Sequence, residues 1–247
     1  MSNELAAQRI GLKEGILKRK VASVPCAGIR IGKETSARSN LSESHLRLYA
    51  LCGVIAPIFF VLMVIVEGLL VPGYSHMSQQ VSDLGAYALY GSYALLQNLN
   101  FCVFGILAVA FAIGLRRELP ASRAITTSLG LFGALFFLLG FFPDEPTPWP
   151  AVAHYLIAWT GGVSILLSEF FAWRRLRRPV ADEGVDWTRY GRFSLVSLVL
   201  AVISFISYAT FGQPGSPIAG LLQRVFMAFL LLWIEVMALR LLRLSKA

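Results

Sequence analysis

The chain has 247 residues, enough for one soluble domain of ordinary size, yet 56% of them are hydrophobic, only 15% are charged and the mean hydropathy is +0.66. Globular domains carry roughly a quarter charged residues, and the apolar blocks here are too long for helices of a soluble core, which excludes that class. The net charge of +8 does not signal nucleic acid, because no aromatic residues interleave a basic face.

Residues 1–45 are polar and basic without a sustained apolar run, and they read as a disordered cytoplasmic arm. No short apolar stretch follows the basic residues, so a cleavable signal peptide is not expected. The run Leu17–Lys20 offers contact with anionic lipid headgroups; a solvated tail, or a start placed too far upstream, is the plainer account. A spanning helix needs about 20 apolar residues, set by ~30 Å of hydrocarbon. Six stretches meet or approach that length, at about 48–70, 93–115, 124–142, 151–173, 193–211 and 218–242. Residues 46–247 are therefore expected to form an all-α, six-transmembrane-helix bundle. The connecting segments, such as PGYSHMSQQVSD and PDEPTPWP, are rich in turn formers or charge.

The cations give the orientation. Nine of the 22 Lys and Arg residues precede the first span, and Arg116, Arg117 and Arg123 lie between the second and third. Arg174, Arg175, Arg177, Arg178, Arg189 and Arg192 lie between the fourth and fifth, and Arg240, Arg243 and Lys246 end the chain. Threaded through six spans, all of them fall on one side, and only Arg224 lies near the other. Positive residues are retained in the cytoplasm. Both termini are thus expected inside (N-in/C-in), in a multi-pass protein of the cell (inner/plasma) membrane whose partners are membrane lipids. Cys26, Cys52 and Cys102 form no CxxC pair, so neither a disulfide framework nor a zinc knuckle is readable.

Helix association in lipid depends on close packing and interhelical hydrogen bonds. Small residues recur at helical spacing as Gly130, Gly133 and Gly140 in the third span and Thr160, Ser164 and Ser168 in the fourth. In the fifth they are Ser194, Ser197, Ala201 and Ser204. Ionisable residues within spans are costly and become candidate sites by default. Glu169 and Glu235 lie about one turn from Arg174 and Arg240, and the expected outcome is an ion pair reaching to the interface.

The outer ends are different. Topology brings Glu67, His76, Ser82, Asp83, Asn98, Asp144, His154, Gln223 and Arg224 to one layer of the membrane. The prolines of PDEPTPWP fix φ and should hold Asp144 relative to His154. The segment 77–90 is expected to form a short interfacial helix that carries Asp83 over the bundle.

Ser82-Asp83-Leu84-Gly85 after the first span, Asn98 seven residues before Gly105, Phe142-Pro143-Asp144 ending the third span and His154 opening the fourth form one pattern. With these residues the chain resembles the bacterial and archaeal membrane proteins of domain-of-unknown-function family 998, over roughly residues 48–242. The PDEPTPWP loop is longer and richer in proline than is usual there. The resemblance implies the six-span bundle and these polar residues; the family carries no established activity, so no reaction follows from it.

Three functions stay open at this point. The first is a non-enzymatic protein binding a lipid headgroup or small ligand, with Asp83 and Asp144 as acceptors, Asn98 as donor, Arg224 for a phosphate or carboxylate, and Ser82, His154 and Glu67 nearby. It needs no cofactor. The second is a membrane lipid hydrolase in which Asp83, Asp144, His154 and His76 hold zinc and activate water, although no HExxH pair exists; a metal-free form would use Ser82 and His154. The third is a small transporter, which inverted repeats would have supported.

Overall fold

A computed structural model describes residues 30–119, 122–177, 186–213 and 215–245, the first fourteen of these as backbone only. The segment 1–29, most of the expected basic arm, lies outside the described residues. The chain divides into the units Met1–Ser42 and Glu43–Ala247, and the bundle described below belongs to the second.

All regular structure among the described residues is helical. Six long helices follow in chain order: α1 (Arg30–Leu70), α2 (Ala94–Glu118), α3 (Arg123–Leu139), α4 (Pro148–Leu176), α5 (Thr188–Phe211) and α6 (Ala219–Leu244). Five helical segments are long and apolar enough to cross a membrane: Ser44–Leu70, Tyr87–Glu118, Pro148–Leu176, Thr188–Phe211 and Ala219–Leu244. The third expected span falls short, because α3 has 17 residues and reaches only about 26 Å. Gly140, Phe141 and Phe142 then donate to carbonyls three residues back, which carries the coil one turn further before Pro143. Elsewhere the helices overrun the expected ends, since arginines such as Arg116 and Arg174 continue the coil past the apolar stretch.

Sequential helices from α2 to α6 pack side by side. α1 completes the bundle: the Phe60 ring meets Phe101, Phe104 and Phe136 of α2 and α3, and Gly53 abuts Phe111 of α2 and Ala238 of α6. The aromatic cluster is continued by Phe132 against Phe104 and Phe136. Gly105 and Gly133 let α2 and α3 approach until each glycine faces the other's backbone, the close approach that small residues permit in lipid. In α5 the buried residues are Gly191, Ser194, Ser197 and Ala201, while Val196, Val199, Ile203 and Ile206 stay exposed. Comparable exposed apolar side chains line the other helices. In water such a surface would be a liability; with the long apolar helices it marks a multi-pass integral membrane protein.

Basic helix ends gather at one end of the bundle. The Arg117 guanidinium of α2 stacks over Tyr49 of α1, and Arg240 of α6 lies over Trp187 and Tyr190 beside the start of α5. The predicted ion pairs at this end are not formed. Glu169 is fully buried and accepts from Ser197 (3.3 Å), tying α4 to α5, while Arg174 lies over Phe170. Arg240 donates to the Asp186 carbonyl (3.1 Å) instead of Glu235. Ring stacking takes up Arg174, ring stacking and the Asp186 carbonyl take up Arg240, and the Ser197 hydroxyl takes up Glu169. The serine stripes divide likewise: Ser168 bonds the Ile125 carbonyl across helices and Ser194 accepts from Trp233, but Thr160, Ser164 and Ser204 bond their own helix.

Candidate functional site

At the opposite end, three connecting segments converge. Residues 77–90 do not form the single interfacial helix expected. They break into a 3-10 turn at Ser82–Gly85 and one α-turn at Tyr87–Tyr90, because Val81 and Leu84 turn into the core while Leu89 stays outside. The Glu145 carboxylate, from the loop after α3, accepts the Tyr87 and Ala88 N–H groups (2.8 and 3.1 Å) and caps that turn. Pro148 opens α4 at its first position, where the missing N–H costs nothing.

Asp83 and Asp144 meet across this junction. An Asp83 oxygen accepts the Gln80 N–H (2.8 Å), and Ser82 donates to Asp144 (3.1 Å). Burial holds the Asp83 carboxyl above the ordinary carboxylate range; the Gln80 amide opposes that, Asp144 reinforces it and Arg224 opposes it. Asn98 donates to the Gly85 carbonyl (3.0 Å) and fixes the SDLG turn on α2. His154, only 3% exposed, holds its Nδ1 at 2.7 Å from the Phe142 carbonyl. A carbonyl only accepts, so Nδ1 carries a proton, and in the neutral ring Nε2 presents a free lone pair.

Arg224 is placed differently from the expected anion contact. Its Nη1 lies 2.9 Å from the carbonyls of His76, Gln79 and Gly220, and its Nη2 donates to the Tyr74 hydroxyl. The guanidinium therefore straps the 74–80 loop onto α6. Burial pushes the Tyr74 phenol up to about 12, consistent with a neutral hydroxyl that in turn donates to the Gln80 carbonyl (2.9 Å). His76 stands apart from Asp83, Asp144 and His154. Its ring packs on Gly68 and edge-on to Tyr74, and it lines a separate apolar recess between α1 and α6. Burial and the Arg224 charge hold its imidazole below the ordinary range. Among the described residues, no group of three His, Cys, Asp or Glu side chains is positioned to hold a metal ion. The zinc set of Asp83, Asp144, His154 and His76 does not fit this arrangement.

Glu67 also lies outside the junction. It is 1% exposed on the α1 face carrying Phe60 and Val64, and neither carboxylate oxygen has a hydrogen-bond partner. Asn100 of α2 bonds the Phe60 carbonyl and Gln97 Oε1, both at 3.2 Å.

Two cavities flank the acids. The outer one, a vestibule of about 550 Å³, is bordered by Asp83, Asp144, Glu145, Gln79, Gln80 and Tyr155. The inner one, a chamber of about 140 Å³ within the bundle, has aromatic and aliphatic walls from α2 to α6 and a polar roof of Gln80, Ser82, His154, Tyr155, Tyr208 and Gln223. Gln80 and Tyr155 border both. Sequence reasoning missed Gln80 and Tyr208. Gln80 Oε1 accepts the Tyr208 hydroxyl (2.9 Å), and Gln223 Oε1 accepts the Val81 N–H (2.6 Å), so the roof joins the first loop to α5 and α6. The one available signal was a pair of amide side chains, Gln79 and Gln80, beside an SDLG turn.

Nothing among curated proteins or solved structures matches the chain. The profile of one family, described as "Protein of unknown function (DUF998)", matches residues 54–240, and the chain belongs to that family.

Proposed function

We propose that this protein is a six-span, N-in/C-in protein of the cell membrane that binds an amphiphile on its non-cytoplasmic side, polar head in the vestibule and apolar chain in the chamber. The observation that carries this reading is an apolar chamber whose polar roof shares Gln80 and Tyr155 with an adjoining acidic vestibule. The one-sided placement of all cations but Arg224 supports the orientation. For the third span, the turn that extends α3 by three residues supports a crossing slightly shorter than the rest.

Apolar pockets with a few fixed polar groups are where small ligands bind. The chamber walls on α4 run from His154 to Leu166, about 18 Å along the helix, a depth suited to a hydrocarbon chain. Trp159 and Val163 line the chamber and are also about half exposed on the lipid-facing surface. Trp159 meets Phe205 of α5 edge-on, centroids 5.1 Å apart, so these two rings in contact close the chamber between α4 and α5. A hydrolytic reading draws less support, since Ser82 donates to Asp144 and not to His154.

The test is mass spectrometry of lipids that stay with the protein purified in detergent, comparing the natural sequence with Ala158→Phe, which fills the chamber. A defined amphiphile retained by the natural protein and lost from a folded Ala158→Phe protein is expected. Equal retention by both would refute a chamber-bound chain.

A further inference from the structure

We propose that the head group this site selects is uncharged and carries a hydroxyl, seated at the chamber roof between the Gln80 side-chain amide and His154 Nε2. The proposal rests on the amphiphile-binding reading and deepens it.

It comes from following each polar side chain of the roof to its partner. Ser82 donates to Asp144 (3.1 Å), and the Tyr155 hydroxyl is bonded to the same carboxylate. Gln223 accepts the Val81 N–H with its Oε1 (2.6 Å) and bonds the Tyr208 hydroxyl through its amide nitrogen. Tyr208 in turn donates to Gln80 Oε1 (2.9 Å). The Gln223 amide is oriented by the Val81 N–H, and its Nε2 lies 3.5 Å from that same Gln80 atom, which identifies the atom as oxygen. The Gln80 N–H2 therefore points away from these partners and has no acceptor among the described residues. His154 has the complementary need. Its Nδ1 is committed to the Phe142 carbonyl, and in the neutral ring Nε2 is left as an acceptor. Gln80 is 8% exposed and His154 3%, and both line the chamber. The roof thus presents one unmet donor and one unmet acceptor above apolar walls.

A hydroxyl answers both, since its oxygen accepts from Gln80 while its proton goes to His154. A charged head answers one and leaves the other buried and unpaired, which is costly. An anionic head has no proton for His154, and it would sit beside the vestibule that Asp83, Asp144 and Glu145 border. An ammonium head has no lone pair for Gln80. The acids that would attract it border the vestibule and not the chamber, and two hydroxyls already hold Asp144.

The experiment uses the full chain in phosphatidylcholine nanodiscs, with protein-free nanodiscs as the partitioning control. The quenchers of tryptophan fluorescence are chain-brominated undecanol, its methyl ether, undecyl sulfate and undecylamine. The ether keeps the oxygen and loses only the proton that His154 would take. The expected result is saturable quenching by the alcohol at concentrations about tenfold below each of the other three. Trp159→Phe should abolish most of it, because Trp159 lines the chamber. Gln80→Glu keeps an oxygen for Tyr208 and replaces the free N–H2 by a second acceptor, so it should weaken the alcohol about tenfold and turn the preference to the amine. Should that variant fail to fold, the four probes on the natural protein decide alone. Equal saturable quenching by alcohol and ether, tighter quenching by a charged probe, or an unchanged preference in folded Gln80→Glu overturns the hydroxyl selection and leaves the amphiphile site standing. Absence of saturable quenching by all four overturns the proposal together with the reading beneath it.

Discussion

Replacing Arg224 separates a structural strap from a ligand contact. In Arg224→Met the stem volume is roughly kept, but the carbonyls of His76, Gln79 and Gly220, each 2.9 Å from Nη1, lose their donor, as does the Tyr74 hydroxyl. A hydrogen bond to a charged group contributes about 1.5–3 kcal/mol net. The bonds share one guanidinium and do not add fully, and its Nε is already buried without a partner, so a loss of about 3–5 kcal/mol is expected. At about 2–4 °C per kcal/mol for a chain of this size, the melting temperature in detergent should fall by about 6–20 °C. The 74–80 loop should also become cleavable by chymotrypsin after Tyr74 well below the global transition. Arg224→Lys should recover only part of the loss, because an ammonium is a point charge without the fork that reaches several carbonyls. A melting temperature within about 2 °C of the natural protein and unchanged cleavage would refute the strap and return Arg224 to the pool of ligand contacts.

Gly105→Ala should destabilise by about 1–3 kcal/mol in a thermal melt, the usual cost of overpacking, because a Cβ there meets the Gly133 carbonyl and Phe137 backbone; Gly130→Ala, which meets only Ala112 Cβ at 3.8 Å, should be close to neutral. Glu67→Met should be neutral or stabilising by about 1–2 kcal/mol, since it removes a buried carboxyl with no hydrogen-bond partner, and a clear loss of stability would show that the carboxyl has a stabilising partner. For Asp83, whose folded carboxyl is held above its ordinary range, the native state binds more protons than the unfolded one between those two values. Its contribution to stability therefore falls as pH rises through that window and grows as pH drops. His76, held low, acts in the opposite sense over an adjoining range, so the readout is the difference between natural and Asp83→Asn melting curves from pH 4 to 7. That difference should favour Asp83→Asn increasingly toward about pH 7; a flat difference would contradict the assignment.

The membrane character and the long helices were legible because they depend on local runs of apolar residues, which need no tertiary information. The third span was overestimated for the same reason: Phe141 and Phe142 read as apolar, yet the chain has already tightened into three-residue turns ahead of Pro143. The convergence of Asp83, Asp144, Ser82 and His154 followed from topology alone. What it could not supply was direction. Whether Arg224 faces a ligand or three carbonyls, and whether His76 points toward Asp83 or packs on Gly68, depends on rotation about helix axes. The Gln80–Tyr208 bond joins residues 128 apart in sequence, and nothing in either local stretch marks the other. Glu169 misled because charge was matched to the nearest arginine along the helix, when a hydroxyl on the neighbouring helix was closer in space.

The account stands on the acidic vestibule facing away from the cytoplasm. In a protein with Cys26, Cys52 and Cys102 replaced by Ala, single cysteines at Pro146 and Arg243 can be treated in intact cells with a membrane-impermeant maleimide. Pro146 is exposed at the vestibule rim and Arg243 ends α6 at the basic end. Labelling of position 146 in intact cells, with position 243 reacting only after permeabilisation, is the predicted pattern. The reverse pattern, or labelling of both from outside, would contradict it.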